Sequence, residues 1–149
     1  MIDISEIRSK DPEKLRALAN EIGKAAREVG FFRITGHGIN PQLIEDTYQM
    51  AKRFFALPDS LKRRYYIGLS TNHRGYVPFS EKGDYPDEKN RSYEAFDMGL
   101  DLPDTDPDYQ AGNRVLGPNV WPEVDNFKEI VCEYYLQISA LGRLVVGCM

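Results

Sequence analysis

Residues 1–149 read as a single α+β unit. Three observations predict it. Apolar residues recur at helical spacing toward both ends of the chain, while the middle holds two short runs of alternating, β-prone residues. No repeat, low-complexity tract or shift in composition marks a second domain. At this length one hydrophobic core is the ordinary outcome.

The elements follow in order. Ile2–Ile4 is short and β-branched and suits an edge strand. Asp11 then offers an N-cap and Pro12 a first helical position. Leu15, Leu18, Ile22, Ala25, Ala26 and Val29 continue at helical spacing, and Gly30 stops the helix as a C′ glycine does. Phe31–Thr35 is bulky and β-branched and reads as a strand, with Gly36-His37-Gly38 as a turn. Asn40-Pro41 repeats the cap-then-proline pattern and opens a second helix. Leu43, Ile44, Thr47, Tyr48, Ala51, Phe54 and Phe55 form its apolar face, and Leu57-Pro58 closes it. Asp59 or Ser60 caps a further turn to Arg64, where Lys62-Arg63-Arg64 reads as a solvated face. Arg74–Phe79 and Ser92–Met98 are the two central strands, joined by the charged loop SEKGDYPDEKNR. Residues 100–122 are rich in Pro, Asp and Gly and show no period, so they read as a loop that wraps the surface or covers something. Phe127, Ile130, Val131, Tyr134, Ile138, Leu141 and Val145 mark a long amphipathic helix.

Bulk composition removes several functions. The net charge is −4, and the short KRR is offset by nearby acids, which disfavours nucleic acid as a partner. No apolar run is expected to approach the roughly 20 residues of a membrane span, and the polar start MIDISEIRSKDPEK is unlike a secretory signal. No membrane partner is expected. Cys132 and Cys148 on one helix lie roughly 24 Å apart, too far to bridge. Both read as free thiols of a cytoplasmic protein.

The inventory of reactive groups is short. The chain has two histidines, and neither His37 nor His73 stands in H-x-D or H-E-x-x-H spacing. There is no G-x-S-x-G elbow and no P-loop lysine. Gly36-His37-Gly38 has no third glycine in register for a dinucleotide. A metal site built from both histidines with Asp3, Glu94 or Asp97 is the sharper reading. The plainer one is a turn histidine whose ring bonds a backbone carbonyl, and a residue flanked by two glycines favours it.

The order of segments nonetheless carries a resemblance. An IDIS opening precedes a helix ending in VGFF, then GHGI, then a helix ending in FFALP. KRRYY, RGYVPF and EAFDMG follow. No one of these is specific, but together they are. From Met1 to about Arg143 the chain resembles the N-terminal region of the isopenicillin N synthase-like branch of non-haem iron(II)/2-oxoglutarate-dependent oxygenases. The resemblance implies an α+β portion that precedes and packs on a double-stranded β-helix (jelly-roll) barrel, and this chain ends before the barrel. It implies iron(II) and 2-oxoglutarate as cofactors of the complete protein, with an H-x-D pair, a distant His and a 2-oxoglutarate-binding Arg all downstream. His37 then matches a structural turn. The chain itself is expected to hold no catalytic residue and no metal, and to be inactive alone.

The complete protein would oxidise a small molecule, by hydroxylation or a related reaction. In the family the RGYVPF strand lies near the barrel mouth. Tyr76 is the first candidate for substrate contact, since its ring and hydroxyl combine apolar and polar recognition. Arg74 suits a carboxylate through paired N–H donors, or alternatively pairs with an acid of the 80–91 loop. Glu94 and Phe96 share a face of the next strand and complete the set. Tyr76 reads equally as core, Phe96 reads first as core, and Phe54-Phe55 as core outright. A rival reading is a catalytically inactive truncated module acting through protein–protein contact. Either the missing C-terminal half or an oligomer partner would then cover exposed apolar surface.

Overall fold

The computed structural model describes residues 1–79 and 93–148. The 80–91 loop, Ser92, and any pairing of Arg74 with that loop lie outside the described residues. The rest is α+β with few strands, and falls into two compact units: Met1–Ile44 with Leu136–Met149, and Glu45–Tyr135. The sequence shows no boundary because the helices Pro41–Phe55 (α2) and Phe127–Gly147 (α5) each run from one unit into the other.

In the first unit, Ile2–Asp3 (β1) pairs in parallel with Ile34–Thr35 (β2). Parallel strands need a long crossover, supplied by the helix Pro12–Glu28 (α1). Asp11 caps α1 by accepting the Glu13 N–H at 2.9 Å. Gly30, at φ +89°, ends it with its N–H on the Ala25 carbonyl at 3.2 Å. Leu18 and Ile22 of α1 join Ile2, Ile4, Ile7, Ile39 and Leu141 in one core. The strand expected over Phe31–Thr35 is only two residues long, and Phe31 is exposed. Gly36 is required twice over. Its φ is +67°, and a Cβ there would stand 2.2 Å from Asp3 Oδ1.

In the second unit, Gly75–Val77 (β3) pairs antiparallel with Ala95–Asp97 (β4), Tyr76 facing Phe96. Asp59–Lys62 forms a short helix (α3) that continues into 3₁₀ turns at Arg63–Tyr65 and Ile67–Leu69. Phe54, fully buried, centres the core. Its ring centroid lies 5.2 Å from Phe55, 5.8 Å from Tyr76, 4.9 Å from Phe96 and 5.9 Å from Phe127.

Residues 100–122 do not form a loose wrap. Asp106 and Pro107 start a single helical turn, Pro107–Gln110 (α4). Gly99 and Asn119 exchange two hydrogen bonds, at 2.9 and 2.8 Å. Asp101 accepts from the Asn119 N–H at 2.8 Å and from Trp121 Nε1 at 3.1 Å. Side chains satisfy the backbone where no ladder does. By length and composition alone α5 would pass as a membrane span, a test that helices of soluble cores also pass.

Candidate functional site

The polar centre of the second unit is built from three separated segments. Lys62 ends α3, Tyr76 is the middle of β3, and Glu94 immediately precedes β4. Glu94 Oε2 accepts from Lys62 Nζ at 2.5 Å and from Tyr76 Oη at 2.6 Å. Lys62 Nζ also donates to the Phe55 carbonyl at 3.3 Å and stands 5.2 Å from the Tyr76 ring centroid. The Lys62 and Glu94 side chains are only 9% and 14% exposed. Burial, then the bond to Glu94 and its charge, push the Tyr76 phenol well above the ordinary tyrosine range.

Lys62 is the residue the sequence reading placed wrongly. Arg63 and Arg64 are surface groups paired with Asp59 and Glu123. Lys62 is buried, because α3 is a single turn and its fourth and last side chain points back toward Glu94. Nothing in a KRR triplet marks which member turns inward. The partner lies 32 residues away.

Arg74 lies apart from this cluster in its bonding. Nη1 donates to the Asn72 and His73 carbonyls at 2.9 and 3.2 Å, and Nη2 to the Val115 carbonyl at 2.6 Å. Nε is buried and has no hydrogen-bond partner among the described residues. Gly99 makes room for the guanidinium, since a Cβ there would meet Nη2 at 2.3 Å. Asn72 adds bonds to the Leu116 and Pro118 carbonyls at 3.2 and 3.1 Å. Arg74 and Asn72 thus pin residues 115–118 to the approach of β3.

Phe96 packs on Phe54 and borders a partly open groove of about 170 Å³. Its other walls are Thr47, Ala51, Phe54, Phe55, Met98, Phe127 and Val131. Met98 was not singled out from the sequence, and Thr47 was read only as part of the apolar face of α2. Met98 lies two residues beyond Phe96, and strand alternation from Phe96 is the signal that finds it.

His37 lies in the first unit and His73, exposed and at φ +56°, in the second. His37 Nδ1 accepts the Ile39 N–H at 3.1 Å, so the ring closes its turn through an amide and not through a carbonyl. Asp3 Oδ1 is occupied by the Ser5 N–H at 2.9 Å. Among the described residues no three His, Cys, Asp or Glu side chains are grouped to hold a metal ion.

An α+β chain with this hairpin, aromatic core and buried Lys–Glu–Tyr cluster has clear relatives. Residues 1–124 match the family described as non-haem dioxygenase in morphine synthesis, N-terminal. The chain belongs to that family. It is 31% identical to a 2-oxoglutarate-Fe(II) type oxidoreductase of Aspergillus fumigatus, covering 100% of this chain and 45% of the relative. It is 33% identical to the 2-oxoglutarate-dependent dioxygenase citB of Monascus ruber, covering 97% and 45%. A crystal structure of a 2OG-Fe(II) oxygenase family protein from Caulobacter crescentus superposes with a TM-score of 0.79 at 26% identity, over 99% of this chain and 46% of that one. The chain therefore spans under half the length of these relatives.

Proposed function

We propose that the complete protein is an iron(II)- and 2-oxoglutarate-dependent oxygenase that hydroxylates, or otherwise oxidises, a small molecule in the cytoplasm. The observation that carries this is the match of residues 1–124 to a dioxygenase N-terminal family, joined to relatives named as 2-oxoglutarate-dependent enzymes. In this reading residues 1–149 precede and pack on a jelly-roll barrel that supplies the iron ligands. Iron and 2-oxoglutarate belong to the complete protein. The described residues do not fit an iron site, so no chemical step is assigned to them, and the chain alone is inactive.

Its part is recognition. Tyr76, Arg74, Glu94 and Phe96 form the substrate side. Glu94 and Phe96 act beside the groove, and Arg74 acts from behind, through residues 115–118. Leu136 and Val146 of α5, and Phe31, are 54%, 69% and 80% exposed. They belong to surface that a further packed layer covers. The alternative, an inactive module acting through protein–protein contact, draws on the same side chains.

One assay separates the two. The complete reading frame, loaded with iron(II), should release succinate from 2-oxoglutarate, and residues 1–149 should not. Absence of succinate from the complete protein refutes the oxygenase reading. Micromolar iron binding by the 149-residue chain that His37→Ala or His73→Ala abolishes would instead overturn the assignment of the iron site to the rest of the protein.

A further inference from the structure

We propose that Glu94 is a specificity-determining residue, held by Lys62 and Tyr76 so that Oε1 stays open to a neutral hydroxyl or N–H on a molecule whose apolar part lies in the groove. The inference rests on the reading that the β3–β4 face is the substrate side. It is carried by bonding, aim and place.

Bonding comes first. Both donors that reach Glu94, Lys62 Nζ and Tyr76 Oη, converge on Oε2. Among the described residues none reaches Oε1. An ionised carboxylate has about four acceptor sites, so roughly half of its capacity is unused in a side chain that is largely buried.

The aim is fixed by the same contacts. Lys62 is itself anchored on the Phe55 carbonyl, and the Tyr76 ring is locked between Phe54 and the Lys62 ammonium. A carboxylate held by two buried, immobile donors keeps its second oxygen in one direction. Such support separates a recognition group from a loose surface acid.

Place is set by the strand. Residues two apart on a strand share a face, about 6–7 Å apart. Glu94 stands two before Phe96, which walls the groove. Phe55 contributes its carbonyl to Lys62 and its side chain to the groove. Glu94 is therefore one strand repeat from a wall of an apolar space about the size of one six-membered ring, whose lining does not include Glu94 itself.

Charge then selects the partner. Lys62 balances Glu94 one for one, so the cluster has no net charge. A second cation gains little there. A carboxylate on the ligand would meet the lone pairs of Oε1 and be repelled. A neutral donor forms a charge-assisted hydrogen bond, stronger than one between neutral groups. Tyr76 Oη and both terminal nitrogens of Arg74 are already engaged inside the fold. Glu94 is thus the member of the candidate set with an acceptor to offer, while the unused Arg74 Nε is a buried donor.

The test uses the whole chain and three ring-sized probes, phenol, anisole and benzoate, with the Met98 methyl resonance as reporter. Phenol should bind about five- to tenfold more tightly than anisole, and benzoate should move the Met98 signal least. Glu94→Gln keeps the shape and removes the charge. It should bring phenol and anisole to within about twofold of each other while anisole binding is retained. Lys62→Met should weaken the phenol preference although Glu94 is still present, and Lys62→Arg should restore most of it, the mark of a positioning residue. Circular dichroism checks each fold, and if Lys62→Met does not fold the Glu94→Gln result decides alone. Equal affinity for phenol and anisole, benzoate matching phenol, a preference that survives Glu94→Gln, or no shift at Met98 overturns the proposal. Succinate release by the complete protein is read separately, so failure here and failure of the oxygenase reading are distinguishable.

Discussion

Removing one member of the Lys62–Glu94 pair should damage the protein more than removing both. Two unit charges 2.5 Å apart attract by about 6–7 kcal/mol at an effective dielectric of 20. Taking each of them out of water costs several kcal/mol. The terms nearly cancel, so the intact pair adds little net stability. The imbalance appears when one partner goes. Lys62→Met strands the Glu94 carboxylate with Tyr76 Oη as its single donor, and should cost about 3–5 kcal/mol. Glu94→Gln leaves an acceptor for Lys62 but no charge, and should cost about 3 kcal/mol. The double variant buries no charge and should cost only about 1–2 kcal/mol. Urea unfolding followed by Trp121 fluorescence measures all four species. Trp121 is the single tryptophan and lies in the same unit as the pair. The reasoning fails if the double variant costs the sum of the singles, or if either single costs under about 1 kcal/mol.

Two further outcomes follow from the same hairpin. Gly75 has φ +117°, and a Cβ there would stand 2.2 Å from the Tyr65 carbonyl oxygen, so Gly75→Ala should lose at least about 2–3 kcal/mol. Gly112→Ala, also at positive φ but with nothing within 4 Å, should lose only about 1 kcal/mol, and equal losses would contradict the clash. The Tyr76 phenol is raised in the folded protein, first by burial and then by Glu94. Its contribution is therefore complete below the unfolded tyrosine value of about 10 and is lost as pH rises above it. The stability difference between the native chain and Tyr76→Phe should be flat from pH 7 to 9 and shrink above about 10; a flat difference across the alkaline range would refute the assignment.

Local chemistry made much of the fold legible. Asp11-Pro12 and Asn40-Pro41 mark two helix starts because cap and proline act within three residues. Gly30 marks a helix end for the same reason. The hairpin partners Tyr76 and Phe96 were readable from alternation. What stayed hidden is what depends on distant partners. Residues 100–122 look structureless because their order comes from Asn72, Arg74, Asp101 and Asn119, each bonding across a gap that no period reveals. The burial of Lys62 depends on Glu94, and the groove wall at Met98 depends on how β4 lies on Phe54.

The candidate site inverts an ordinary expectation about residue types. Arg74 and Tyr76 look functional because they carry donors, yet the fold engages both terminal nitrogens of one and the hydroxyl of the other. Buried donors must be satisfied, so a strand packed on both faces takes up its own polar groups first. Glu94 stands just before β4, whose residues are half-buried or exposed, and among the described residues donors reach only one of its two oxygens.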